Sequence, residues 1–264
     1  MSVPTAYSVA GDGPPLIMIH GIGARRATFE GMVAGLKDRF TCITYDLRGH
    51  GLTPWSGGRF DLDDLVDDLE DLRTRLGIAS AHIAGHSLGG MIGPRYALRF
   101  PDRVLSLGLW STAAFRTEDD SAKVRAVVAA MRDKGIGPVL DTLTARWFTD
   151  AFCAARPDVI EWRKKQVMDT PAEVFLNVFD IYAETEMAPW LQEVKAPAQI
   201  ITGENDAPAI NAATSTVSGS VTELADHAAG ENSATHTAGG SIRFGDVEIS
   251  GLRGAALRNW QRDC

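Results

Sequence analysis

A serine flanked by glycines is the feature of this sequence that most directly indicates chemistry. Ser87 lies in residues 85–90 (GHSLGG), after the apolar run 81–84 and before apolar residues at helical spacing that stop at Pro101. Glycines at this spacing allow a turn sharp enough to present the hydroxyl, and the N-terminus of the following helix stabilises negative charge. The pattern predicts that Ser87 attacks a carbonyl carbon.

Backbone N–H groups that could receive the developing negative charge are expected beside this serine. The apolar run 15–19 is typical of a buried strand and ends in residues 20–23 (HGIG). A strand end followed by His-Gly is a common position for one oxyanion donor, and the residue after the nucleophile supplies the other. Ile22 and Leu88 are therefore the predicted oxyanion hole.

A mostly parallel sheet would bring these loops together. Further strands are predicted at 41–45, 104–110 and 198–201, with helical patterns between them, which favours an α/β architecture with helices on both faces of the sheet. In the acidic segment 61–72 the leucines share one helical face. We expect its carboxylates to face solvent rather than to hold a metal.

Taken together, these motifs resemble the α/β-hydrolase family over about residues 11 to 206. The resemblance is carried by residues 20–21 (HG), 46–51 (DLRGHG), 85–90 and 200–206 (IITGEND). It implies the α/β-hydrolase fold and a catalytic triad with Asp206 as the acid, with no metal and no cofactor. A histidine would remove the proton of Ser87, and Asp206 would hold that histidine in the required tautomer.

The identity of the histidine is left open by the sequence. In the family the base follows the acid in chain order, which leaves His227 and His236, 21 and 30 residues beyond Asp206. The strand-like segment 221–224 just before it favours His227, whereas the usual family spacing favours His236. We take His227 as the predicted base and His236 as its alternative.

The resemblance also implies a helical cap inserted in the fold. Residues 115–190 have a mainly helical pattern and lie between two predicted strands, so we expect a core of 1–114 and 191–264 with a cap at 115–190. The aromatic residues predicted to line an apolar substrate pocket are Trp110, Trp147 and Phe148.

The substrate class is indicated only by resemblance. Residues 109–114 (LWSTAA) and 146–152 (RWFTDAF) look most like the 3-oxoadipate enol-lactonase group and related small-molecule esterases. This implies hydrolysis of a lactone or small carboxylic ester. Two alternatives stay open: a carbon-carbon bond hydrolase of the same fold, and a catalytically impaired hydrolase-fold protein that binds a ligand.

Composition and charge exclude some classes of binding partner. The 264-residue chain has a formal net charge of -8 and a pI near 5.3, with no basic stripe, which argues against nucleic acid or an anionic membrane. The N-terminal residues have no signal-peptide pattern, and the three cysteines are scattered, so we expect a reduced, cytoplasmic protein acting on a small molecule.

The C-terminal segment departs from the family pattern. Residues 207–264 hold 29 Ala, Gly, Ser or Thr among 58 positions, without a clear apolar strand or an amphipathic closing helix. An edge strand is predicted at 241–249 and a short helix at 252–261. Our hypothesis is that this segment is a replaced or frame-shifted end, and the same atypical composition underlies the catalytically impaired alternative.

Overall fold

The protein is described by a computed structural model that covers residues 2–114 and 116–202, together with three short strands at 218–220, 242–244 and 247–249. Within these described residues, the main sheet has seven strands in the order β1-β3-β2-β4-β5-β6-β7. The strands are β1 (Tyr7–Ala10), β2 (Pro15–Ile19), β3 (Thr41–Tyr45), β4 (Ala81–His86), β5 (Val104–Trp110), β6 (Pro197–Ile201) and β7 (Ser218–Ser220). Strands β8 (Ile242–Phe244) and β9 (Val247–Ile249) form a separate antiparallel pair.

The centre of the main sheet is parallel. Strand β2 pairs with β3 and with β4, β4 pairs with β5, and β5 pairs with β6, all in parallel, whereas β1 and β7 are antiparallel at the two edges. The predicted mostly parallel sheet is therefore confirmed. Because parallel strands end at the same edge, the loops after β2, β4 and β5 converge there.

Alternation along β2 shows how the sheet is buried on both faces. Ile17 and Ile19 belong to one apolar cluster, and Leu16 and Met18 belong to another, with all four side chains fully buried. Successive side chains of a strand point to opposite faces, so a strand covered on both faces is a continuous apolar run. The predicted bounds of β2 match those of the structure for this reason, and those of β3 and β5 match as well.

Three helices accompany the first strands of the sheet. They are α1 (Glu30–Leu36), α2 (Leu62–Arg75) and α3 (Gly89–Arg99). Helix α2 begins with a capping box between Asp61 and Asp64, and its leucines are buried as predicted. The prediction that its carboxylates face solvent is wrong for Asp68, which is fully buried because it pairs with the guanidinium of Arg48.

The chain between β5 and β6 is helical. Its helices are α4 (Glu118–Lys134), α5 (Gly137–Trp147), α6 (Asp150–Ala155), α7 (Pro157–Met168), α8 (Ala172–Glu184) and α9 (Ala188–Leu191). Side chains of α8, including Val174 and Phe175, join the same apolar cluster as Ile17 and Ile19, so α8 packs on the sheet core. Within the part of the chain that the structure describes, no helix combines the length and apolar character needed to cross a membrane.

Candidate active site

Ser87 lies at the tip of the turn between β4 and α3 in a strained backbone conformation. Its φ is 53°, in the left-handed region, where a residue other than glycine costs about 1–3 kcal/mol. Neighbouring groups hold it there: its N–H donates to the Trp110 carbonyl at 2.9 Å, and its carbonyl accepts from Gly90 N and Thr112 Oγ1, each at 2.9 Å. The turn is thus fixed from β5 as well as from its own helix.

The glycines around Ser87 are required by close approach of backbone segments. A Cβ at Gly85 would lie 2.1 Å from the Gly89 carbonyl oxygen, and one at Gly89 would lie 2.1 Å from the Ile19 carbonyl oxygen. These distances are far below van der Waals contact. The G-x-S-x-G spacing therefore allows α3 to leave the turn directly against β4 and β2.

The segment after β2, residues 20–24, is called the oxyanion loop below and lies beside the serine. A Cβ at Gly21 would be 3.0 Å from Ser87 Cβ, so the loop and the turn touch. Ile22 follows Gly21 and is 7% exposed, while Leu88 is buried at the N-cap position of α3. The N–H groups of the first turn of a helix have no partner within the helix, so this position suits an anion.

Two buried histidines hold the oxyanion loop through hydrogen bonds to the backbone. His20 Nδ1 lies 2.8 Å from the Gly21 carbonyl oxygen, and its Nε2 accepts from Leu47 N at 2.9 Å. His50 Nε2 accepts from Gly23 N at 3.1 Å. Burial lowers the pKa of both imidazoles, that of His50 to about 4, so both are neutral at pH 7.

His86, directly before the serine, is also a weak base. Burial lowers its pKa to about 4, and the positive charge of Arg163 acts in the same direction. Its Nδ1 faces the oxyanion loop, since a Cβ at Gly21 would be 3.1 Å from that atom. The imidazole is therefore poorly suited to take a proton from Ser87 near pH 7.

The three predicted pocket aromatics lie in different surroundings. Trp110 is 2% exposed, and its ring packs on Phe29 with 6.2 Å between centroids. Trp147 lies under the guanidinium of Arg163, 4.7 Å from the ring centroid, and Phe148 stacks on Phe152 at 5.4 Å. The structure gives each of them a packing contact, and their contact with a substrate stays a prediction.

The predicted acid and base fall on residues that the structure does not describe. Asp206, His227 and the alternative His236 all lie in the segment 203–217 or 221–241, outside the described residues. The hypothesis of a frame-shifted end concerns the same part of the chain. These assignments stay predictions.

Two residues that support the site were missed from the sequence. Arg163, on α7, donates to the carbonyl oxygens of Ile22 and Gly23 at 2.5 and 2.6 Å. Thr112 supports the Ser87 carbonyl from the loop after β5. The local sequence around Arg163 does not indicate this contact, because its partners are about 140 residues away. Thr112 lies in the 109–114 segment that carries the family resemblance, but that resemblance does not indicate a contact with Ser87.

Comparison with known proteins assigns the class. The alpha/beta hydrolase fold family matches residues 14–151, more than half of the chain. The chain belongs to the α/β-hydrolase fold family, which confirms both the predicted fold and the resemblance from which it was inferred.

Individual relatives are consistent with that assignment. The chain is 30% identical to 3-oxoadipate enol-lactonase 2 of Acinetobacter baylyi over 195 residues, which is 74% of this chain and 72% of that protein. Among solved structures, a hydrolase from Pseudomonas aeruginosa has a TM-score of 0.71 and 26% identity, covering 85% of this chain and 82% of that one. The enol-lactonase from Burkholderia xenovorans has a TM-score of 0.71 at 22% identity, covering 86% of each chain, and shows the fold alone.

Proposed function

We propose that this protein is a serine hydrolase that cleaves a small carboxylic ester or lactone through an acyl-enzyme on Ser87. The observation that carries the proposal is the strained backbone of Ser87, with φ of 53°, on a turn that touches the oxyanion loop. Strain of this kind persists only where the surrounding structure fixes it, and it concentrates at functional sites. Membership of a hydrolase-fold family supports the same reading.

The proposed reaction has two halves. Ser87 Oγ attacks the carbonyl carbon while a histidine takes its proton, and the oxyanion accepts hydrogen bonds from the N–H groups of Ile22 and Leu88. Collapse of this intermediate breaks the ester C–O bond, and the histidine returns the proton to the leaving oxygen. Water then attacks the acyl-enzyme with the same histidine as base, releasing the acid and restoring Ser87.

The base in this proposal comes from the C-terminal part of the chain. The ring nitrogens of His20 and His50 face backbone groups, and burial lowers the pKa of His86 to about 4. A base that works near neutral pH needs a pKa closer to 7. The family order, in which the base follows the acid along the chain, supports assigning the role to His227, with Asp206 as its partner and His236 as the alternative.

The proposed substrate class rests on the relatives and on aromatic side chains in the insertion between β5 and β6. A relative named as an enol-lactonase aligns over most of this chain, and the aromatic side chains of Trp147 and Phe148 lie at the C-terminal end of α5, between β5 and β6. We propose that the helices of this insertion cover a pocket for a small, mainly apolar acyl group. The division into core and cap and the cytoplasmic location remain part of this proposal.

Steady-state hydrolysis of short-chain p-nitrophenyl esters and a panel of lactones tests the function. We expect turnover by the full chain, and a loss of kcat of about 10⁴-fold or more in Ser87→Ala, because the nucleophile is removed. Ser8→Ala, on the exposed edge strand β1, is the matched serine control and should keep wild-type rates. Cleavage of dienoic ring-fission products in place of esters would instead favour the carbon-carbon hydrolase.

A further inference from the structure

Successive peptide groups of the oxyanion loop are each fixed by a side chain. The Gly21 carbonyl, which shares a peptide group with the Ile22 N–H, faces His20 Nδ1 at 2.8 Å and accepts from Ala24 N at 3.2 Å. The orientation of the Ile22 N–H is therefore set from the preceding side by His20. This contact comes from within the loop.

The following side of Ile22 is fixed by the helical insertion. Arg163 Nη2 donates to the Ile22 carbonyl oxygen at 2.5 Å, and Nη1 donates to the Gly23 carbonyl oxygen at 2.6 Å. A planar guanidinium has its donors in a rigid fork, so it fixes two carbonyl groups in one geometry. His20 and Arg163 thus hold the peptide groups on both sides of the Ile22 Cα.

Arg163 is itself held in place by packing. Its side chain is buried, and its guanidinium lies over the Trp147 ring at 4.7 Å from the centroid, so α5 and α7 share the contact. Helix α8 closes on the same loop: a Cβ at Gly23 would lie 2.6 Å from Phe175 Cε2. The oxyanion loop is therefore enclosed between the sheet edge and these helices.

We propose that Arg163 is a positioning residue for the oxyanion hole: from α7 it orders the loop so that the Ile22 N–H points at the oxygen bound at Ser87. This inference rests on the proposed function. Catalysis then requires α7 to be packed on the oxyanion loop, because the contact that holds the helix there also orients an oxyanion donor.

The expected consequence is a loss of rate more than of binding. An oxyanion donor acts on charge that develops in the transition state, and loss of one donor costs about 10²- to 10³-fold in kcat. Arg163→Met removes the fork while keeping an unbranched apolar stem. We expect kcat to fall by about 30- to 100-fold with KM within about threefold, and Arg163→Lys, which restores one charged donor, to recover part of that loss.

Arg156→Met is the matched control, since Arg156 precedes the same helix and pairs with the exposed Asp158 at 2.8 Å. It should leave kcat unchanged. Thermal unfolding of each variant verifies folding, and Arg163→Lys carries the comparison if Arg163→Met does not fold. A rise in KM with unchanged kcat, or wild-type kcat in folded Arg163→Met, overturns the inference.

Amide hydrogen exchange across residues 20–24 gives a readout that needs no turnover. We expect faster exchange in Arg163→Met and in Arg163→Lys than in wild type, and wild-type exchange in Arg156→Met. Unchanged exchange in the Arg163 variants overturns the inference whatever the activity. A wild-type chain that hydrolyses no ester while this difference in exchange is present refutes the proposed function instead.

Discussion

At the scale of single residues, the site depends on the backbone conformation of Ser87 and on the groups that hold it. Ser87 has φ of 53° and is followed by a helix that passes within contact distance of β2 and β4. The strain is tolerated because Trp110, Gly90 and Thr112 all hydrogen-bond its peptide groups. The strained conformation costs free energy of folding, and it holds the Ser87 hydroxyl at the sheet edge.

A glycine substitution tests this requirement. Gly85→Ala should lower the free energy of unfolding by about 1–3 kcal/mol or more, because its Cβ would meet the Gly89 carbonyl oxygen at 2.1 Å. Gly35→Ala, exposed in α1 with no atom within 4 Å of the added Cβ, should raise it by about 0.5–1 kcal/mol. Urea unfolding measures both, and equal effects would contradict the packing described.

The buried histidines predict how stability depends on pH. Burial lowers the pKa of His50 from 6.5 to about 4, so below pH 6.5 the unfolded chain binds the proton more readily than the folded chain. The contribution of neutral His50 to the free energy of unfolding is complete above pH 6.5. It is lost as the pH falls toward 4, by up to about 1.4 kcal/mol per pH unit.

His50→Gln isolates that effect. Glutamine keeps an acceptor for the Gly23 N–H but does not titrate, so the free energy of unfolding should fall less steeply with decreasing pH than in wild type. Urea unfolding at several pH values between about 4 and 7 measures the two slopes. Equal slopes in the variant and the wild type would show that His50 does not contribute to the pH dependence of stability.

Residue-level prediction from sequence succeeded where the signal is local. The turn around Ser87 is encoded within six residues, 85–90, so its glycines identify it. Arg163 could not be found in this way, because its contacts with residues 22 and 23 depend on how α7 docks. The buried state of Asp68 escaped for the same reason, since Arg48 is 20 residues away.

At the scale of elements, strands were easier to predict than helix ends. Strand β2 is a continuous apolar run because both faces of the sheet are covered there, and β3 and β5 carry mostly apolar side chains. The helical pattern predicted over 115–190 did not locate the start of α4, which begins at Glu118 because Thr117 and Asp120 form a capping box. Apolar periodicity does not report such a cap.

Helix α2 provides a test of a buried ion pair. The Asp68 carboxylate accepts from Arg48 Nε and Nη2, each at 2.8 Å, and from Val3 N at 2.7 Å. Asp68→Ala should lower the free energy of unfolding by about 3–5 kcal/mol, because it leaves the Arg48 charge buried without this carboxylate. Asp67→Ala, whose carboxylate is 46% exposed and pairs with Arg99, should cost at most about 1 kcal/mol. Similar losses in the two variants would contradict this account.

At the scale of the whole molecule, the oxyanion loop lies between the serine turn at the sheet edge and the helices after β5. The oxyanion loop contacts Ser87 on one side and Arg163 and Phe175 on the other. The class of protein follows from this architecture and from the family match. The acid and base predicted by resemblance lie in residues outside the described part of the chain.

Substitution of the two candidate bases distinguishes them. His227→Ala is expected to reduce kcat by about 10⁴-fold, because no base then activates Ser87, whereas His236→Ala should retain activity. Ester hydrolysis measures both variants, with Ser87→Ala as the reference for complete loss. The reverse outcome would assign the base to His236, and activity in both variants would contradict the proposed triad.

The central claim, that Ser87 is an activated nucleophile, is tested most directly by covalent labelling with a fluorophosphonate. Intact-mass measurement of the full chain should show one adduct, and peptide mapping should place it on Ser87. Ser87→Ala should remain unlabelled, while Ser8→Ala should label like the wild type. No adduct on the folded wild-type chain, or an adduct on another residue, would contradict the account.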